Sequence, residues 1–200
     1  GSSNTIGIGA TYSTSIGLKG TVEDYRISVG SAQSDTLRFS RDTLGRTMGG
    51  VSVPNEIGIG LSFNHSDNWR AEINYSRSDW THSGMDVAKG FAVKGSSYFD
   101  TRVSQTYRAG FEIVPNRNDI RYYYKRCAYR VGAYYEDSRF AVDGNQIKDI
   151  GLTFGASLPV FRYSNALTFA VGLGQRASTA RNMIRERYVN FTVGFSFHDM

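Results

Sequence analysis

The stretch Tyr188-Val-Asn-Phe-Thr-Val-Gly-Phe-Ser-Phe-His198 alternates polar and apolar residues without a break. Val189, Phe191, Val193, Phe195 and Phe197 fall on one face, and Tyr188, Asn190, Thr192, Gly194, Ser196 and His198 on the other. A period of two is that of an extended strand whose faces meet different media. The chain around it carries a formal charge of +5 and is only 40% hydrophobic, so the apolar face calls for a cause.

The same period recurs upstream. Ile6, Ile8, Ala10 and Tyr12 oppose Gly7, Gly9 and Thr11; Ile57, Ile59, Leu61 and Phe63 oppose Gly58, Gly60 and Ser62. Trp69, Ala71, Ile73 and Tyr75 oppose Arg70, Glu72 and Asn74. Phe99, Val103, Tyr107, Ala109, Phe111 and Ile113 oppose Asp100, Arg102, Ser104, Arg108 and Glu112, and Tyr129, Val131, Ala133 and Tyr135 oppose Arg126, Arg130, Tyr134 and Glu136. Ile150, Leu152, Phe154 and Leu158, then Leu167, Phe169, Val171 and Leu173, complete eight predicted strands.

The expected connections are tight at 65–68, 115–119 and 161–164, medium at 138–148 and 177–185, and long at 21–50 and 81–97. Short alternating with long is the arrangement of a transmembrane β-barrel. No run of about 18 apolar residues exists for a membrane helix, which says nothing against strands. A soluble sandwich is the rival, but its strands are usually about 5–6 residues, and several here hold phase for a dozen. The fold class expected is therefore all-β, an antiparallel transmembrane barrel filling residues 1–200 as one domain. Residues 1–3 are read as an artificial scar or cut edge.

If the apolar phase meets lipid, the other lines the lumen. Arg102, Arg108, Glu112, Arg126, Arg130, Tyr134 and Glu136 form the expected polar lining. With a tight turn near Arg117, pairing places Arg108 near Arg126, Ser104 near Arg130 and Asp100 near Tyr134. The following strands present a small-residue wall of Gly151, Gly155, Gly172, Gly174 and Gly194, to be filled by long side chains or a plug, or simply easing a bend.

Other motifs carry less. Gly-x-Gly pairs at 7/9, 58/60 and 172/174 lack a following helix, which excludes a phosphate loop. Dispersed Lys and Arg give no nucleic-acid footprint. Only three histidines occur, and His82-Ser83 with Asp79 is the sole local hydrolase-like group; no His or Cys spacing suits a metal. The expectation is no enzyme, no cofactor and no metal. Cys127 cannot pair internally and reads as an apolar filler. Tyr12, Phe63, Trp69, Tyr75, Tyr123, Tyr135 and Phe197 lie toward strand ends in the outward phase, where an interfacial girdle belongs.

Tyr129-Arg-x-Gly132, the Ile150-Gly-Leu-Thr-Phe-Gly-x-x-Leu-Pro159 strand, Gly172-x-Gly-Gln-Arg176 and Glu186-x-Tyr188 resemble the FadL-type outer-membrane transporters of hydrophobic compounds, in the branch common in Bacteroidetes. The resemblance implies about fourteen strands with a plug, of which this chain corresponds to the C-terminal eight. It implies a Gram-negative outer-membrane location with periplasmic termini, contact with outer-membrane lipid and lipopolysaccharide, and passage of a long-chain fatty acid or aromatic hydrocarbon. Phe195 and Phe197 become expected aromatic positions of a C-terminal assembly signal. The second reading is a structural barrel serving as a subunit of a larger outer-membrane protein assembly.

Overall fold

A computed structural model of the chain describes residues 3–18, 20–26, 38–44, 51–66, 68–85, 99–142, 144–160, 165–177 and 185–196. The strands in chain order are β1 (Asn4–Ser13), β2 (Ile16–Leu18), β3 (Gly20–Arg26), β4 (Arg38–Leu44), β5 (Val51–Val53), β6 (Glu56–His65) and β7 (Trp69–Asp79). They continue with β8 (Phe99–Thr101), β9 (Val103–Ile113), β10 (Ala128–Val142), β11 (Asn145–Val160), β12 (Asn165–Ala177) and β13 (Glu186–Ser196).

One antiparallel wall runs β1-β6-β7-β9-β10-β11-β12-β13, with β8 extending β9 along β10. Its eight principal strands are the eight alternating segments of the sequence. β1 pairs only with β6 and β13 only with β12, so the wall is open among the described residues. Excursions β2–β5 and β3–β4 form two separate two-stranded ladders between β1 and β6, within the expected long loop 21–50 and its flanks. Residues 27–37, 45–50 and 86–98 of the expected long loops lie outside the described residues, as do the expected tight turn 161–164, Phe197 and His198.

Three breaks have local causes. Pro54 cannot donate to a ladder, and the expected continuous strand from Val51 to Phe63 is divided there into β5 and β6. The register with β10 shifts by one residue at Arg102, between Gln105↔Asp137 and Thr101↔Phe140, a bulge that separates β8 from β9. The expected medium loop 138–148 is instead a hairpin: β10 and β11 extend to Val142 and Asn145, and Gly144 takes the positive φ of 73° that the two-residue turn demands.

The connection expected as a tight turn at 115–119 is a folded lobe. Residues 114–127 form it, with a 3₁₀ turn at Tyr123–Arg126. Asp119 organises it by accepting from the amides of Arg121 at 2.9 Å and Tyr122 at 2.7 Å, a local alternative to strand pairing.

The apolar phase of every wall strand is uncovered by any described residue. Ile8 is 82% exposed and Phe191 77%, and Ile59, Leu61, Ile73, Phe111, Leu152, Phe154, Phe169 and Val193 share the face. The buried apolar residues lie at the rims: Val51, Trp80 and Ala141 at one, Val114 and Cys127 at the other. A sandwich would bury this face under a second sheet. Soluble proteins seldom expose more than a few hundred Å² of contiguous apolar surface, so the face is built to meet lipid.

The apolar band has a sharp border. Tyr75, Tyr107 and Tyr135 stand in one row across β7, β9 and β10, with ring centroids 4.9 and 6.2 Å apart. Two residues further on, the same face carries Arg77, Gln105 and Asp137, with Lys148 beside Asp137 on β11, while Gln175 and Arg187 continue the tyrosine row itself onto β12 and β13. At the opposite border Trp69 stacks with Phe63 at 5.2 Å and meets Phe111 at 5.8 Å. Aromatic rings at both edges of an apolar strip are what an interface between hydrocarbon and water favours.

Candidate functional site

The other face of the wall collects the polar phase. Register places Arg70, Glu112, Arg130 and Gly155 in one row; Asn74, Arg108, Tyr134, Gly151, Gly174 and Tyr188 in a second; and Ser76, Thr106, Glu136, Asp149, Arg176 and Glu186 in a third. Strand period two with antiparallel pairing makes these rows unavoidable once the register is set.

In the first row Arg130 forms an ion pair with Glu112, and its Nη1 donates to Ser157 Oγ at 2.8 Å. Ser157 Oγ continues to Thr168 Oγ1 at 2.7 Å, carrying the network over four strands, β9 to β12. Arg70 pairs with Glu72 beside it.

Between the second and third rows lies the most tightly satisfied group. Asp149, 7% exposed, accepts from Arg176 Nε at 3.0 Å and Nη2 at 2.9 Å on one oxygen, and from the Tyr188 hydroxyl at 2.7 Å on the other. The Tyr188 and Tyr134 hydroxyls are hydrogen-bonded to each other, spanning β10 to β13. That reach needs flat ground beneath the rings. A Cβ at Gly151 would stand 2.6 Å from Tyr134 Cε1, and one at Gly174 would stand 2.6 Å from Tyr188 Cε2. Glycine is therefore the floor on which each ring lies. Gly155, Gly172 and Gly194 carry no such ring, their would-be Cβ atoms meeting neighbours at 3.4 Å or more.

Two expected lining residues are elsewhere. Arg126 belongs to the 3₁₀ turn of the lobe, its guanidinium 5.1 Å from the Tyr123 ring, because 114–127 is a lobe and not a hairpin turn. Arg102 sits at the bulge, donates its backbone N–H to Arg139 O at 2.9 Å and pairs with Asp100 at 3.0 Å. The expected cross-strand pairs are displaced for the same reason: Arg108 faces Tyr134, and Arg130 faces Glu112. Arg108, Glu112, Arg130, Tyr134 and Glu136 share the polar face. Phe195 lies on the apolar face, half exposed.

Asp149 and Arg176 are missing from the expected lining, although the signal was available. One more step of period two, back from Gly151 and on from Gly174, reaches both.

The polar face encloses a recess of about 530 Å³ at the hairpin-bearing rim, lined among others by Glu56, Thr106, Arg108, Glu136, Asp149 and Arg176. The apolar face carries a trough of about 760 Å³ bounded by Ile73, Tyr107, Leu152, Leu173 and Val189. Among the described residues no three His, Cys, Asp or Glu side chains gather as metal ligands. His82 Nδ1 meets Thr81 Oγ1 at 2.9 Å, Asp79 accepts from Thr81 at 2.6 Å, and Ser83 is buried, so the loop trio forms no nucleophile–base contact with His82 in reach.

An antiparallel wall with a lipid-facing apolar side and a polar, ion-paired inner side is an outer-membrane β-barrel wall of FadL-like fold. Among solved structures it is similar to a CymD monoaromatic hydrocarbon channel, with a TM-score of 0.56 and 16% identity over 97% of this chain. The chain spans 48% of that protein's length. No curated protein matches the sequence. The BamG family model matches residues 2–200, and the chain belongs to the BamG family. The likeness to FadL-type proteins is thus one of fold, while the family is BamG.

Proposed function

We propose that this chain forms the membrane-embedded wall of a FadL-like outer-membrane barrel that serves as a subunit of a larger outer-membrane protein assembly, with no chemistry of its own. The observation that carries this reading is the polar face. Its rows are occupied by their own partners: Glu112–Arg130–Ser157–Thr168 on one level and Tyr134–Tyr188–Asp149–Arg176 on another. A hydrophobic solute moving along this face would strip water from charges and gain no apolar contact in return. Membership of the BamG family over nearly the whole chain supports the same reading. In it, both ends of the wall face the periplasm, supported by the start of β1 and the end of β13 sharing a rim with the tight turn at Ser66.

Passage of a hydrophobic small molecule, of long-chain fatty acid or aromatic hydrocarbon type, is the second reading, favoured by the fold likeness to a hydrocarbon channel. Native mass measurement of the protein extracted from outer membranes in mild detergent separates the two. The subunit reading expects a stable complex containing other outer-membrane proteins. A lone chain that retains a hydrophobic ligand would overturn it and favour transport.

A further inference from the structure

The lobe 114–127 carries Arg117, Arg121, Lys125 and Arg126 against one acid, Asp119. That acid is already engaged, by two backbone amides and by Lys125 Nζ at 3.4 Å. One carboxylate leaves the lobe net positive, and its cations, Lys125 included, are gathered on rings. Arg121 and Lys125 lie 5.2 and 4.6 Å from the Tyr122 ring, and Arg126 lies over Tyr123. The Arg126 Nε is buried and has no hydrogen-bond partner among the described residues. Next to these cations Ile120 is 96% exposed, and Tyr124 is exposed too.

The position of the lobe is equally specific. Tyr129, on the apolar face, donates to Tyr124 O at 3.0 Å, and Tyr123 donates to Pro159 O at 2.9 Å. The 3₁₀ turn is thereby fastened to the wall at the border of the lipid-facing band, beside the Trp69 and Phe111 edge. Cations at this depth, with an aliphatic tip and aromatic rings beside them, match a phosphate held at the level where acyl chains begin.

We propose that the lobe is a binding site for the headgroup of an anionic phospholipid, its phosphate taken by Arg121, Lys125 and Arg126 while Ile120 enters the acyl region. Continuity with the apolar band favours a lipid over a free anion. The proposal rests on the apolar face meeting lipid, and flotation of the protein with vesicles tests that face separately.

The full protein in mild detergent is offered equal amounts of phosphatidylglycerol and phosphatidylethanolamine, and retained lipid is counted by native mass spectrometry. The wild type is expected to favour phosphatidylglycerol by about tenfold or more. Each of Arg121→Gln, Lys125→Gln and Arg126→Gln should lower that ratio about fivefold at low salt, while Arg77→Gln with Arg187→Gln, on the opposite border, leaves it unchanged. Because Arg121 is exposed, its variant keeps the test valid if the Lys125 or Arg126 variant does not fold. An equal ratio in the wild type, or an unchanged one in the variants, overturns the proposal. Displacement by excess glycerol 3-phosphate would overturn it in favour of a free anion, and loss of a bound protein at constant lipid ratio would overturn it in favour of a protein partner.

Discussion

Gly174→Ala adds one methyl group to the polar face, and the wall gives it no room. The new Cβ would stand 2.6 Å from Tyr188 Cε2, well inside contact distance, so the Tyr188 ring must lift. Lifting it withdraws the hydroxyl from Asp149, 2.7 Å away, and from Tyr134. Overpacking costs about 1–3 kcal/mol, and a hydrogen bond to a carboxylate contributes roughly 1.5–3 kcal/mol. Against this, alanine removes about 0.4–1 kcal/mol of unfolded-chain freedom, leaving a net loss of about 3 kcal/mol. Gly9→Ala is the control: a Cβ there meets nothing within 4 Å, and the change should be neutral or stabilising by up to about 1 kcal/mol. Urea unfolding in lipid vesicles, followed by the heat-dependent shift of folded barrels on gels, reads both. A cycle with Tyr188→Ala completes the test, since removing the ring should make Gly174→Ala nearly neutral. Equal costs for Gly9→Ala and Gly174→Ala, or a cost at Gly174 that survives Tyr188→Ala, would refute the ring-on-glycine account.

Phe191→Arg places a charge on the most exposed part of β13 and should cost about 2–4 kcal/mol in bilayers, whereas Thr192→Arg, one residue away on the polar face, should cost under about 1; the same unfolding assay distinguishes them. Cys127 is 3% exposed, and burial raises its thiol above the ordinary range, so alkylation at pH 8 should be slow when folded and fast in denaturant. The Asp119 carboxyl is held below its usual 3.8, chiefly by the Tyr122 amide. A depressed carboxyl contributes stability above its unfolded value that is lost as pH falls through the folded one, so the lobe should keep its protection from neutral pH down to about 4 and lose it only below. Hydrogen exchange at the Arg121 and Tyr122 amides measures this, and Asp119→Ala, which removes the acceptor, should abolish the protection at pH 7.

The wall was legible because period two survives any register: a strand such as Tyr188–Ser196 shows its two faces whatever it pairs with. Which inner residues meet was not legible, since pairing depends on connection length. Reading 115–119 as a turn, where 114–127 folds as a lobe around Asp119, moved every partner of β10 on β9 and set Arg108 against Arg126 in place of Tyr134. The bulge at Arg102 and the hairpin at Gly144 escaped for a related reason, each being a one- or two-residue event that leaves the average pattern intact. The Tyr134–Tyr188–Asp149–Arg176 group depends on two glycines three strands deep in the register, and no local motif announces it.

Two faces in two media is the central claim, and β13 tests it most directly. Single cysteines placed in turn at positions 189 to 195, in a Cys127→Ala background, would carry spin labels whose collisions with oxygen and with a water-soluble nickel chelate are compared in lipid vesicles. The account predicts strict alternation, with 189, 191, 193 and 195 reached by oxygen and 190, 192 and 194 by the chelate or sterically closed to both. Uniform access to the chelate along the strand, or an alternation of the opposite phase, would contradict it.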